Sequence, residues 1–176
     1  VGAGLVGSLL SIYLAKRGYA VSVFERRSDM RQSRMSAGRS INLALSDRGI
    51  KALEEVGIMD EIRKIAIPMH GRYIHNADGS HAYQPYGKEG QYINSVSRGE
   101  LNKKLMDLAE AHGVNIQFDV RCERIDFEKN CIHFDKGITE GPFDVIFGSD
   151  GAYSAARLSY QLQTDRFQYQ QYVQSN

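Results

Sequence analysis

The chain has 176 residues, of which 42% are hydrophobic and 24% charged, the balance of one globular domain and not of a disordered, fibrous or bilayer-embedded chain. Lys and Arg total 22 against 21 Asp and Glu, a formal net charge of +1, so no nucleic-acid or anionic-membrane footprint is expected and small molecules are the expected partners. Cys122 and Cys131 fit neither a redox C-x-x-C nor paired zinc ligands, which predicts a reducing, cytosolic compartment; this stretch holds no apolar run of about 18 residues and no charged-then-apolar leader, so it is expected neither to span a bilayer nor to carry a signal peptide itself.

The chain opens on Val1-Gly2-Ala3-Gly4, inside a motif that a strand ordinarily precedes and without an initiator Met, so trimmed ends are expected. Leu5, Val6, Leu9, Leu10, Tyr13 and Leu14 recur every three or four positions, which predicts a buried helix with these residues on one face. Gly18 suits its C-terminus. Residues 19–24 read as a buried strand, and a strand ahead of Gly2 would complete a βαβ unit. Residues 26–39, rich in Arg and Ser without apolar period, predict a long loop around a ligand.

Ser46 is placed to cap a helix running to about residue 56, with Gly57 beyond it, and a short helix is predicted over 59–65, before Pro68. Alternating segments at 73–75 and 92–96, with an Asp78-Gly79 turn, predict β-structure apart from the main sheet. Ser97 and Glu100 form a capping box ahead of a helix over 101–111 that ends at Gly113 and carries an apolar stripe of Leu101, Leu105, Leu108 and Ala109. Strands are predicted at 116–118, 122–127 and 132–134. A buried strand at 143–147 leads into Gly148-Ser149-Asp150-Gly151 and a helix-like stretch at 152–158. The polar tail 168–176 shows no period, and there is no internal repeat.

Gly2-x-Gly4-x-x-Gly7 matches the dinucleotide fingerprint. Its glycines permit a tight turn, close approach of backbone to a pyrophosphate, and close packing of helix on strand. The helix N-terminus then offers unpaired N–H groups and a favourable dipole to the anion. The motif alone is a weak signal, but Glu25 stands at the end of the next predicted strand, about twenty residues on, where a carboxylate meets the ribose hydroxyls of an adenine dinucleotide. That carboxylate repels a 2′-phosphate and disfavours NADP in this slot, although Arg26 and Arg27 are adjacent. FAD and NAD remain, and the Asp150-Gly151 element is one a plain NAD dehydrogenase does not require.

Gly2 to Gly7, Gly38-Arg39-Ser40-Ile41-Asn42-Leu43-Ala44-Leu45-Ser46, the segment 92–98, and Gly148-Ser149-Asp150-Gly151-Ala152-Tyr153-Ser154-x-x-Arg157 together resemble the kynurenine 3-monooxygenase family of single-component FAD-dependent aromatic hydroxylases, over nearly all of the chain to about Tyr172. The resemblance implies an α/β, three-layer Rossmann-like FAD-binding domain. Its parts would lie at 1–66 and 98–160, with a small β-rich insertion on the substrate side at 67–97 and the start of a substrate domain at 161–176. It also implies that Gly2, Gly4, Val6 and Gly7 line the pyrophosphate, that Glu25 holds the ribose, and that Arg27 lies beside the adenine half. Ala44, Arg98, Cys122 and Ala155 would contact FAD, Asp150 and Gly151 would serve FAD and NADPH, and Arg72 with Tyr86 would grip the amino-acid carboxylate of L-kynurenine.

A guanidinium fork with a neighbouring phenol suits a carboxylate, although a surface Arg on a strand and a Tyr in a turn is the plain alternative. Arg98 opposes the dipole at a helix start, which an anionic ligand would explain. His70, His75, His81, His112 and His133 lack ligand spacing, and no nucleophile, base and acid trio is present, so neither a metal nor a catalytic side chain is expected. The implied chemistry is hydroxylation of L-kynurenine to 3-hydroxykynurenine with NADPH and dioxygen, carried by the flavin. Rivals are an FAD-dependent hydroxylase of another ring and a non-catalytic FAD-binding fragment. In some members of the family a C-terminus beyond this stretch associates with membranes.

Overall fold

The computed structural model describes residues 1–32 and 41–163. Half of the predicted ligand loop, the Gly38-Arg39-Ser40 part of the motif and the polar tail lie outside the described residues. In chain order the elements are α1 (Leu5–Ala15), β1 (Ser22–Phe24), β2 (Asn42–Leu45), α2 (Asp47–Glu55), α3 (Met59–Arg63), β3 (Ile67–Met69), β4 (Gly71–His75), β5 (His81–Pro85), β6 (Ile93–Ser97), α4 (Arg98–Ala111), β7 (Asn115–Gln117), β8 (Cys122–Asp126), β9 (Cys131–Phe134), β10 (Thr139–Glu140) and α5 (Ala155–Leu162).

β1 runs parallel to β7, with Ser22 opposite Asn115 and Phe24 opposite Gln117. Residues 1–2 extend this array on the other side. The Gly2 N–H donates to Phe24 O at 2.8 Å, the Val1 amino group to Phe147 O at 2.7 Å, and the Ser149 N–H to Val1 O at 2.8 Å, the slanted pattern of parallel neighbours. Val23 turns into a core shared with Ile12 of α1, Leu105 and Met106 of α4, and Ile62. Phe24 turns the opposite way, onto Phe134 at 4.6 Å between ring centroids, in a second core with Ile125, Ile132 and Ala156. The α1–α4 layer, the parallel strands and the antiparallel β8–β9–β10 sheet with α5 give the three layers of the expected α/β fold.

The expected apolar face of α1 is rotated in the structure. Its buried positions are Gly7, Ser8, Ser11 and Ile12, while Val6 is 70% exposed; α1 lies so close to the residue 1–3 backbone that only small side chains fit between. The strand expected over 19–24 is confined to Ser22–Phe24, because Gly18 (φ +85°) and Tyr19 are spent in the turn that ends α1, the Tyr19 N–H returning to Leu14 O. The strand expected over 143–147 does not form. Val145 and Phe147 are exposed, and a groove of about 730 Å3 separates this segment from β1, bridged at one end by Val1 and Gly2.

Ser46 occupies the N-cap position of α2 without a side-chain bond, and α3 stops at Arg63. The capping box of α4 is half formed: Ser97 Oγ accepts from the Glu100 N–H at 3.4 Å, while the Glu100 carboxylate pairs with Lys103 at 3.1 Å. β2 and β3, which periodicity did not reveal, flank β6 in an antiparallel sheet, and β4–β5 form the hairpin that the Asp78-Gly79 turn predicts. The helix expected over 152–158 begins only at Ala155, where Ser154 caps it by accepting from the Arg157 N–H at 2.9 Å.

Candidate cofactor site

The three fingerprint glycines meet three different environments. At Gly2 (φ +94°), a Cβ would lie 2.6 Å from Ser149 O, so both the backbone conformation and the close backbone of Ser149 and Asp150 demand glycine there. At Gly7 a Cβ would lie 1.9 Å from Gly2 O and 2.6 Å from Ser149 Oγ, which is the helix-on-strand approach. At Gly4 a Cβ would meet nothing within 4 Å. Gly4 is the N-cap of α1, has no side chain to cap with, and no acidic residue occupies the helix's first turn. The N-terminus of α1 therefore offers its free N–H groups across an open face, the arrangement a pyrophosphate needs. Val6 projects from that same first turn.

Glu25 follows β1 and is 4% exposed. Its Oε2 accepts from the Ala3 N–H at 2.9 Å, and its Oε1 accepts from the Arg27 N–H at 2.9 Å and from Arg27 Nε at 2.8 Å; Arg27 Nη2 reaches Oε2 at 3.2 Å. Burial by itself pushes the Glu25 carboxyl up, but the Arg27 guanidinium and the N–H groups of Arg27 and Ala3 outweigh it and hold the carboxyl below the ordinary glutamate range. Four donors thus fill the carboxylate. Two of the four belong to the Arg27 side chain, which is 58% exposed and able to swing away. The segment carrying Arg27 is strapped to α4 by Arg31, which pairs with Asp29 at 2.8 Å and Asp107 at 2.9 Å and also reaches Glu110.

On the far side of Gly2, Ser149 Oγ donates to Val1 O at 2.7 Å and Gly2 O at 3.0 Å. Asp150 closes the N-terminus of α5: it accepts from Ser154 Oγ at 2.6 Å, the Ala155 N–H at 2.7 Å and the Ala156 N–H at 3.2 Å. Gly151 has φ +84°, a turn geometry that favours glycine. Cys122 is buried at the start of β8, and burial first, then the nearby Asp150 carboxylate, push its thiol up to about 11. Glu25, the glycine loop, Cys122 and the Asp150-Gly151-Ala155 turn thus gather around the ends of the parallel strands.

Ala44 and Arg98 lie on a second edge. Ala44 stands on β2 opposite Ser95 of β6; Arg98 opens α4, exposed, its N–H donating to Ile41 O at 3.1 Å. Arg72 faces Gln84 across the hairpin, its Nε donating to Gln84 Oε1 at 2.7 Å. The Tyr86 N–H donates to His70 O at 3.0 Å, extending the ladder by one pair. Strand alternation then puts Arg72, Gln84 and Tyr86 on one face and Tyr73, His75, His81 and Tyr83 on the other. Among the described residues no group of three or more His, Cys, Asp or Glu is placed to hold a metal, and no helix is long and apolar enough to cross a membrane.

Sequence reasoning missed two residues that set the loop. Ser149 was visible only as part of a motif. Asn102 is 6% exposed and donates through Nδ2 to Ala3 O at 3.1 Å. A signal for it existed: Asn102, Leu105, Met106 and Ala109 follow helical spacing on the buried face of α4, and an amide on such a stripe needs a partner.

A family model described as an FAD binding domain matches residues 1–173. Kynurenine 3-monooxygenase of Myxococcus xanthus is 50% identical over 171 residues, covering 94% of this chain and 37% of that protein. The enzyme of the same name from Christiangramia forsetii is 48% identical over 176 residues, covering 98% of this chain and 39% of that protein. The chain thus spans well under half the length of these relatives. Among solved structures, 2-methyl-3-hydroxypyridine-5-carboxylic acid oxygenase superposes with a TM-score of 0.72 at 23% identity over 90% of this chain and 40% of its own. A tetracycline destructase superposes with a TM-score of 0.63 at 22% identity over 87% and 38%. At that identity the two structures speak to the fold.

Proposed function

The chain belongs to the FAD binding domain family, and on that footing we propose that it is the FAD-holding part of an NADPH- and dioxygen-dependent monooxygenase that hydroxylates L-kynurenine to 3-hydroxykynurenine. The observation that carries the cofactor reading is the contrast among the glycines: backbone and Ser149 crowd Gly2 and Gly7, while Gly4 opens onto free space at a helix N-terminus. The substrate reading draws on the relatives named kynurenine 3-monooxygenase.

FAD, when bound, supplies hydride acceptance from NADPH and activation of dioxygen. The chain's own residues bind and orient it. The N–H groups from Gly4 to Gly7 face the pyrophosphate, with Val6 beside it. Glu25, kept ionised, would accept a hydrogen bond from a ribose hydroxyl once the exposed Arg27 guanidinium gave up one of its bonds, and Arg27 would lie beside the adenine half. Asp150, Gly151 and Ala155, with the Cys122 backbone, would hold FAD from the α5 side, and Asp150 and Gly151 would also serve NADPH. Ala44 and Arg98 reach the cofactor from the β2–α4 edge, where the Arg98 charge opposes the helix dipole until an anion offsets it. Among the described residues Arg72 bonds only through Nε, to Gln84, so its Nη groups would serve a carboxylate, and Tyr86 would add a hydroxyl from the same hairpin face, with residues 67–97 as the substrate side of a domain built from 1–66 and 98–160.

The absorbance spectrum of the purified protein tests the first part: an oxidised-flavin spectrum is expected, and colourless protein that takes up no added FAD overturns the proposal. Incubating the full-length protein with FAD, NADPH and L-kynurenine tests the second. Unchanged L-kynurenine alongside a bound-flavin spectrum overturns the substrate assignment and leaves the cofactor reading standing.

A further inference from the structure

We propose that Asn102 is a positioning residue for the cofactor's pyrophosphate, acting by locking the peptide between Ala3 and Gly4; the proposal rests on the FAD reading above. Ala3 is fully buried and both of its polar backbone atoms are held by side chains. Its N–H donates to Glu25 Oε2 at 2.9 Å; its carbonyl accepts from Asn102 Nδ2 at 3.1 Å and from Ser8 Oγ at 3.3 Å. A trans peptide is planar, with its C=O and N–H pointing in opposite directions. Drawing Ala3 O inward toward α4 therefore turns the Gly4 N–H outward, toward the open face at the start of α1 where a Cβ on Gly4 would meet nothing.

The amide's orientation follows from its partners. Ala3 O accepts only, so the NH2 group must face it, and the second N–H reaches Met30 Sδ at 3.3 Å. Both donors are used while Oδ1 is buried with no partner among the described residues. A buried acceptor left unpaired is a standing cost, and an apolar residue of similar size would avoid it. A purely structural position on this stripe, beside Leu101, Leu105 and Met106, is better served by leucine. The asparagine is explained by what its NH2 does to the loop.

Asn102→Leu separates the two roles. We expect it to keep the thermal midpoint of the protein without cofactor, because it removes the unpaired Oδ1. FAD affinity, read from quenching of flavin fluorescence on titration, should fall about tenfold, the loss of one net hydrogen bond, and the two 31P resonances of bound FAD should shift. Asn102→Gln, which keeps an amide at the position, should recover part of the affinity, whereas Asn102→Ala should not. FAD affinity and 31P shifts unchanged from the unsubstituted protein overturn the proposal and leave the cofactor reading intact. So does a drop in thermal midpoint with no change in the affinity of the folded fraction. Failure of the unsubstituted protein to bind FAD overturns both.

Discussion

Gly7 packs directly on Gly2: a Cβ on Gly7 would stand 1.9 Å from the Gly2 carbonyl oxygen, so helix α1 and the strand-like start of the chain touch through bare backbone. This contact sets how near α1 lies to Ser149 and where its N-terminus points. It also makes the glycines of one motif separable by experiment.

Gly7→Ala is expected to destabilise the protein by about 2 kcal/mol, since the added methyl meets backbone that cannot give way without moving the helix. Gly4→Ala has open space and an ordinary φ of −73°, so its effect on stability should stay within about 0.5 kcal/mol while FAD affinity falls. Thermal unfolding without cofactor, paired with flavin titration, distinguishes the two. Equal destabilisation by both substitutions would contradict the separate roles assigned to them.

Glu25 predicts a pH dependence. Its folded-state carboxyl is held below the ordinary range, so folding gains from its ionisation. That gain is complete above the unfolded-state value of about 4.3 and is lost as the pH falls through the lower folded value. Thermal midpoints followed from pH 7 toward pH 3 should therefore drop more steeply for the unsubstituted protein than for Glu25→Gln. Parallel curves would mean that the Arg27 and Ala3 bonds do not discriminate between the charged and neutral forms.

Asp150 ties the glycine-side loop to α5 through the Ala155 and Ala156 N–H groups. Asp150→Ala should cost about 1 kcal/mol as a lost helix cap, and Asp150→Asn should cost less because one amide oxygen still accepts. Chemical denaturation measures both, and a neutral Asp150→Ala would show that Ser154 caps α5 unaided.

Arg72→Ala is expected to leave stability within about 0.5 kcal/mol, since the side chain is exposed on the hairpin and bonded only to Gln84 among the described residues. In the full-length protein it should weaken L-kynurenine binding by tenfold or more, about the worth of a charge-assisted hydrogen bond, with FAD affinity unchanged. Calorimetric titration with each ligand reads the two separately. Unaltered L-kynurenine affinity would remove Arg72 from the substrate site.

The two thiols should differ. Cys122 is buried and its thiol is pushed up to about 11, so little thiolate exists at pH 8; Cys131 is only partly buried. A maleimide at pH 8 is expected to label Cys131 first and Cys122 only on unfolding, as mass mapping of the labelled peptides would show. Rapid labelling of Cys122 in folded protein would contradict its burial.

Several features are properties of neighbouring residues and were legible in the amino-acid string: the glycine spacing at 2, 4 and 7, the carboxylate at 25, the helix ends at Gly18, Gly57 and Gly113, and the Asp78-Gly79 hairpin. Periodicity and turn chemistry act over a few positions, so they survive without a fold. What the string did not show depends on approach across long stretches of chain. Asn102 meets Ala3 over a separation of 99 residues, and Ser149 meets Val1 over 148. α1 buries Ser8 and Ser11 in place of Val6, and residues 143–147 form no strand beside an open groove, held at their ends by the Phe143 N–H on Asn130 O and by the Val1 amino group on Phe147 O. Only packing decided these, because a backbone contact as close as Gly7 on Gly2 leaves room for small side chains alone, and which carbonyl a buried amide finds is set by the layer that lies against it.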